Sequence, residues 1–126
     1  MKTDEFIKQV KERAGLGSRE EAIEATHATL SVLGERLYGG ERDDLAAQLP
    51  PELQSFLMEA QESNKFDVDE FFVRVSEEEN CAVDEAVEHA QAVIDVLCEA
   101  VTEGEIEDIK AQLPKDFAEL FIGTRH

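Results

Sequence analysis

Residues 47–50 read Ala-Gln-Leu-Pro, and residues 111–114 read Ala-Gln-Leu-Pro again. The echo runs along most of the chain. Asp4-Glu5-Phe6 and Val10 return as Asp69-Glu70-Phe71 and Val75 at an offset of 65. Val32-Leu33, Gly40-Glu41 and Asp44 return as Val96-Leu97, Gly104-Glu105 and Asp108 at an offset of 64. The change of offset places a one-residue deletion between the first two elements of the second copy. An internal repeat governs every later reading, because both copies must solve the same packing problem.

The chain has 126 residues, the size of one ordinary domain. A copy of about 60 residues alone would bury only roughly 60% of its unfolded surface. The two copies are therefore expected to share a core. The expected organisation is a single domain over residues 1–126, with a first helical repeat at 1–62 and a second at 66–126 about a pseudo-two-fold axis.

Periodicity and stop signals give each copy four helices. Phe6, Ile7, Val10 and Ala14 share one face of a first helix that Gly15 ends. Ser18-Arg19-Glu20-Glu21 is a capping box for a long second helix with the stripe Ile23, Thr26, Leu30, Leu33, Leu37. Gly39-Gly40 breaks it, Glu41 to Gln48 forms a short helix, and Pro50-Pro51 ends that one and starts the next. In the second copy, Asp67 to Glu70 caps a helix, with Phe66 and Phe71 placed as a hydrophobic staple. The stripe Val87, Ala90, Ile94, Leu97, Val101 then matches the first position by position. Pro114 leads into Phe117, Leu120, Phe121 and Ile122. No segment sustains period-two alternation, so the expected fold is all-α: a tandem duplication of a four-helix unit, about eight helices in total.

The chain carries 30 acidic and 12 basic residues, a net charge of −18. Residues 1–65 account for −5 and residues 66–126 for −13. A field of that sign repels phosphate backbones and anionic membranes, so neither nucleic acid nor a membrane is an expected partner. A basic protein is. No stretch approaches the roughly 20 apolar residues of a membrane helix. Met1-Lys2-Thr3-Asp4-Glu5 turns acidic before any apolar run, which reads as no secretory signal. Cys81 and Cys98 do not recur between the copies and fit two reduced thiols, so a cytoplasmic location is expected.

The pattern Gly-Glu-x-x-Asp-Leu-x-Ala-Gln-Leu-Pro over residues 40–50, its echo over 104–114, and the residues Phe6, Val10, Ala22 and Leu33 resemble a prokaryotic family, domain of unknown function 2267. The resemblance covers nearly the whole chain. It implies a small helical cytoplasmic protein of two repeats and supplies no catalytic residues. The second copy departs from the pattern at Asn80-Cys81-Ala82, where the loop is shortened.

Candidate sites are few. Glu24-x-x-His27 has the spacing of a di-iron ligand pair, but its echo places Gln91 where the histidine should be. Half the motif is missing, so no metal and no cofactor are expected. Cys98 reads as a structural thiol beside the second stripe, and Glu77, Glu78 and Glu79 disfavour a thiolate at Cys81. There is no phosphate loop and no nucleophile with its base. Asp43-Asp44 and Glu107-Asp108 are adjacent in sequence, so on a helix they diverge. Gln48 and Gln112 each precede Leu-Pro at a helix end. Each side-chain amide can donate to an orphaned carbonyl or to the other copy, a structural motif shared with Pro50 and Pro114. Glu77, Glu78 and Glu79 form the candidate acidic interaction face. The functional expectation is a noncatalytic acidic binding or adaptor protein with a stress-associated or regulatory role. The alternative is a ligand carrier or enzyme with a pocket where the repeats meet.

Overall fold

The computed structural model describes residues 1–124. Among them the chain forms α1 Thr3–Ala14, α2 Arg19–Arg36, α3 Glu41–Ala46, α4 Pro51–Leu57, α5 Val68–Glu79, α6 Val83–Ala100, α7 Glu103–Gln112 and a closing 3-10 helix Lys115–Thr124. The described residues contain no strand, and the fold is all-α. No helix among them is long and apolar enough to cross a membrane.

The helix ends follow local chemistry. Gly15 closes α1 in the left-handed region at φ 65°, a conformation glycine adopts without a Cβ clash. Ser18 caps α2 by accepting the Glu21 amide at 3.2 Å. The Glu21 carboxylate reaches back one residue further than a capping box requires and accepts from Gly17 N at 3.1 Å. Asp67 accepts the Glu70 amide at 2.9 Å to start α5, with the Phe66 and Phe71 rings 6.5 Å apart. Thr102 starts α7 by accepting the Glu105 amide.

The last element differs from the expected α-helix. It is 3-10, with a break at Phe121 where φ is −102° and ψ 18°. Three residues per turn stack Phe117 directly over Leu120, and both are buried. The break then turns Phe121 inward while Ile122 stays exposed.

α2 is the centre of the molecule. Ten of its residues are buried, from Ala22 to Arg36, and they lie on all sides of the helix rather than on one stripe. A helix buried all round needs neighbours all round. α1, α4, α5 and α6 supply them, and two of the four belong to the second copy. The partners pair off reciprocally. α1 packs on α2 and α6, while α5 packs on α6 and α2. α4 covers α2 as the 3-10 helix covers α6. Among the described residues α2 packs on α6 and α3 on α7, each its own sequence counterpart, so a two-fold relation between the halves would run between these pairs. Buried residues of both halves, Phe6 and Leu33 with Phe71 and Leu97, belong to one continuous cluster.

Gly34 shows how tight the α2–α4 contact is. A Cβ there would lie 2.0 Å from the Leu57 carbonyl oxygen, and backbone cannot step aside cheaply. The matching position of α6 is Cys98, where the 3-10 helix replaces α4 and leaves room for a side chain. Gly34→Ala is expected to lower stability by about 1–3 kcal/mol, as overpacking does. The check is a urea midpoint measured beside Cys98→Ala, which removes only one half-buried sulfur and is expected to cost less.

Candidate functional site

The predicted acidic face divides. Glu77 and Glu78 are exposed. Glu79 is not part of that surface: its side chain is only 5% exposed and accepts from, or is shared with, His89 Nδ1 at 2.8 Å. The reason is helical register, since Glu79 lies one turn beyond Val75 and two beyond Phe72, both buried.

Glu78 lines a groove of about 470 Å³ with Glu35, Glu59 and Glu62, together with Ser31 and Asn64. Three elements build it: α2, α5, and the connector from Met58 to Asp67, which has no equivalent between the elements of either repeat. Arg42 fixes the connector. Its guanidinium donates to Gly34 O and Ala60 O, each at 2.7 Å, and to Ser63 Oγ at 3.2 Å. Ser63 Oγ donates in turn to Leu37 O at 2.7 Å, and Asn64 N to Glu35 O at 2.9 Å. Asn64 Nδ2 also donates to Glu35 Oε2 at 2.8 Å, so the groove wall is tied to the end of α2 both directly and through Arg42.

Its charges are unevenly compensated. Glu35 pairs with Arg74, which also holds Glu70 at 2.9 Å and lies 4.2 Å from the Phe66 ring centroid. Glu59 pairs with His27, whose ring stacks on Phe56 at 4.6 Å. Among the described residues Glu62 and Glu78 have no cationic partner. His27 thus serves the groove wall through Glu59 rather than through Glu24, the residue its sequence spacing suggested.

The repeated Gln-Leu-Pro motif sits elsewhere. Gln48 reaches across to the second half, where its oxygen accepts Thr102 N at 2.8 Å and its amide donates to Thr102 Oγ1 at 3.3 Å. Gln112 makes the mirror contact, accepting Tyr38 N at 3.1 Å and donating to Tyr38 O at 3.0 Å. Tyr38 and Thr102 are themselves repeat counterparts, 64 residues apart. Pro50 caps α4 in extended geometry. Pro114 instead borders an apolar pocket of about 360 Å³ with Lys110, Leu113, Lys115, Phe117 and Phe121. That pocket lies within the second half, between α7 and the 3-10 helix, not where the halves meet.

Between the two glutamine clamps α3 meets α7, and there the structure makes a carboxylate pair that adjacency in sequence hides. Glu41 and Glu105 are repeat counterparts, and packing brings them together with Asp108. Glu105 is 6% exposed, and one carboxylate oxygen of each glutamate is buried without a hydrogen-bond donor. Burial, then the hydrogen bond with Glu41, then the charges of Glu41, Asp44 and Asp108 push the Glu105 carboxyl up to about 8. A proton on Glu105 lets it donate to Glu41. The sequence signal was the echo of Gly40-Glu41 in Gly104-Glu105, which becomes a contact only because α3 packs on α7.

An all-helical acidic chain with a carboxylate-lined groove is the class of protein these features define. Residues 3–120 match the family described as Uncharacterized conserved protein (DUF2267), and the chain belongs to that family. No curated protein matches it.

The raised Glu105 carboxyl has a consequence for stability. The folded protein keeps a proton that the unfolded chain releases near pH 4.5, so its contribution is full below that pH and is lost as pH rises through about 8. Glu105→Gln is expected to be more stable than wild type at about pH 9, by roughly 1–3 kcal/mol, because it removes a buried charge that lacks a donor. Denaturant melts of both proteins between about pH 5 and about pH 9 check it, and the difference should vanish toward the acidic end.

Proposed function

We propose that the protein is a noncatalytic acidic binding module, adaptor or regulatory in role, and that the groove receives a basic side chain or short basic segment of a partner protein. The observation that carries this reading is the groove of Glu35, Glu59, Glu62 and Glu78, in which two carboxylates have no cation of their own among the described residues. Neighbouring uncompensated carboxylates sum to a local negative potential that favours an arriving ammonium or guanidinium. The net charge of −18 steers the same class of partner from a distance and repels nucleic acid. The domain reading is part of this proposal. Repeats 1–62 and 66–126 act as one unit, because the groove takes one wall from α2, another from α5 and its rim from the connector. A cytoplasmic setting is supported by Cys81 and Cys98, both free thiols.

Fluorescence anisotropy with labelled Lys/Arg-rich peptides, at low and at physiological salt, tests the groove. Wild type is expected to bind in a salt-sensitive way, and Glu59→Gln, Glu62→Gln and Glu78→Gln combined should weaken binding by about tenfold or more, ~1.4 kcal/mol. Glu103→Gln, Glu107→Gln and Glu119→Gln together make the same change in net charge on exposed positions elsewhere. Equal losses in the two variants would mean that binding follows net charge alone and that the groove is not the site.

A further inference from the structure

The turn between α5 and α6 can be compared with its counterpart between α1 and α2. α1 ends at Ala14, Gly15 is left-handed, and Leu16 N bonds back to Lys11 O at 2.9 Å. α5 ends at Glu79, Asn80 is left-handed at φ 57°, and Cys81 N bonds back to Ser76 O at 3.0 Å. The two closures match residue for residue. The extra residue of the first copy is therefore Gly17, just before the cap Ser18, and the second copy passes straight from Cys81 to Ala82.

This alignment pairs Ala14 with Glu79, Leu16 with Cys81, and Ala25 with His89. In the first copy all three positions are apolar, Ala25 is fully buried and Leu16 packs against the core. The fold thus fills this place without polar groups. In the second copy a carboxylate, a thiol and an imidazole converge there, with donor atoms all within 4.8 Å of one another. His89 is 14% exposed, and its Nδ1 meets one Glu79 oxygen at 2.8 Å. The other Glu79 oxygen is buried and has no hydrogen-bond partner among the described residues. A buried carboxylate with one oxygen unsatisfied, beside two further ligating side chains, is the kind of donor set a metal ion would complete.

We propose that Glu79, Cys81 and His89 bind one zinc ion. The donor set chooses the metal. Calcium and magnesium take oxygen ligands, whereas one sulfur, one nitrogen and one oxygen suit a borderline-soft cation of tetrahedral preference. Zinc–ligand bonds of about 2.0–2.3 Å require the donors to close in somewhat from their present spacing, a matter of side-chain rotation. Three protein ligands leave the fourth position to water. Burial is the main reason both Glu79 and Cys81 lean toward their neutral forms; nearby carboxylates add to it, Glu24 and Glu85 at Glu79 and Glu79, Glu85 and Asp84 at Cys81, while His89 opposes it at Glu79. On binding, the Cys81 thiol gives its proton to solvent, so affinity falls as pH is lowered. The sequence expectation of no metal rested on the Glu24–His27 spacing. Glu79, Cys81 and His89 have no recognised ligand spacing and come together only through the turn.

The untagged full-length chain, reduced and stripped with chelator, would be titrated with zinc by calorimetry and with cobalt(II) as a spectroscopic stand-in. The expected result is one equivalent of zinc, with a thiolate-to-cobalt charge-transfer band. Cys81→Ser and His89→Ala should each weaken zinc by more than the roughly 10–100-fold that an outer-shell change costs. His27→Ala and Cys98→Ser should leave binding unchanged. Glu79→Ala with Cys81→Leu and His89→Ala restores the residues of the first copy, and is expected to fold and take no metal. Wild-type protein that binds no equivalent of zinc, or binds cobalt without the charge-transfer band, would overturn the proposal and leave a Glu79–His89 ion pair with a packed thiol. Binding that survives Cys81→Ser would overturn it as well.

Discussion

The structure depends on α2 being buried on every side. A helix with Ala22, Ala25, Ala28, Leu30, Val32 and Leu33 all out of water cannot be covered by the three other helical elements of its own copy. It takes α5 and α6 from the second copy, and α6 in turn takes α1. At about 25 cal/mol per Å² of apolar surface removed from water, these exchanged faces are among the largest favourable terms available to so small a chain. The polar contacts then fix the register. Gln48 and Gln112 each hold backbone of the opposite half, so a slip of one half against the other would break four hydrogen bonds at once.

The same exchange creates the molecule's electrostatic tension. Repetition that places α3 on α7 also places Glu41 beside Glu105, and the protein manages this by keeping a proton there. Elsewhere the copies diverge, and each divergence is informative. Arg36 is buried, donates to Phe66 O at 2.9 Å and lies over the Phe66 and Phe117 rings. Its counterpart is Ala100. The guanidinium thus anchors the residue just before α5 to the end of α2. The groove takes most of its lining from the connector, the part of the chain that repetition does not constrain.

Much of the fold was legible in the sequence. Ser18, Asp67 and Gly15 act where their side chains or conformational freedom require, and the two stripes are buried over most of their length. Capping and periodicity are local, so one sequence carries them. The closing segment was less legible, because Phe117, Leu120 and Phe121 satisfy an α or a 3-10 period over so short a run. The sites were legible only in part. Glu78 is exposed, but Glu79 next to it turns inward, following the helical register of Phe72 and Val75 rather than its neighbours in sequence. Glu41 with Glu105, and Glu79 with Cys81 and His89, are assembled by tertiary packing across separations that no motif describes. The repeat did contain a usable clue. Positions apolar in one copy and polar in the other mark places where the fold alone does not explain the residue.

The acidic groove, the paired glutamates and the clamped motif all presuppose that the halves complete each other. The direct test is to produce residues 1–62 and residues 63–126 as separate chains and follow helicity by circular dichroism, each alone and then mixed in equal amounts. Each half alone is expected to be largely unfolded and to melt without a cooperative transition, whereas the mixture should recover the helicity and cooperative melt of the intact chain. A half that folds alone and melts as the intact protein does would contradict the account.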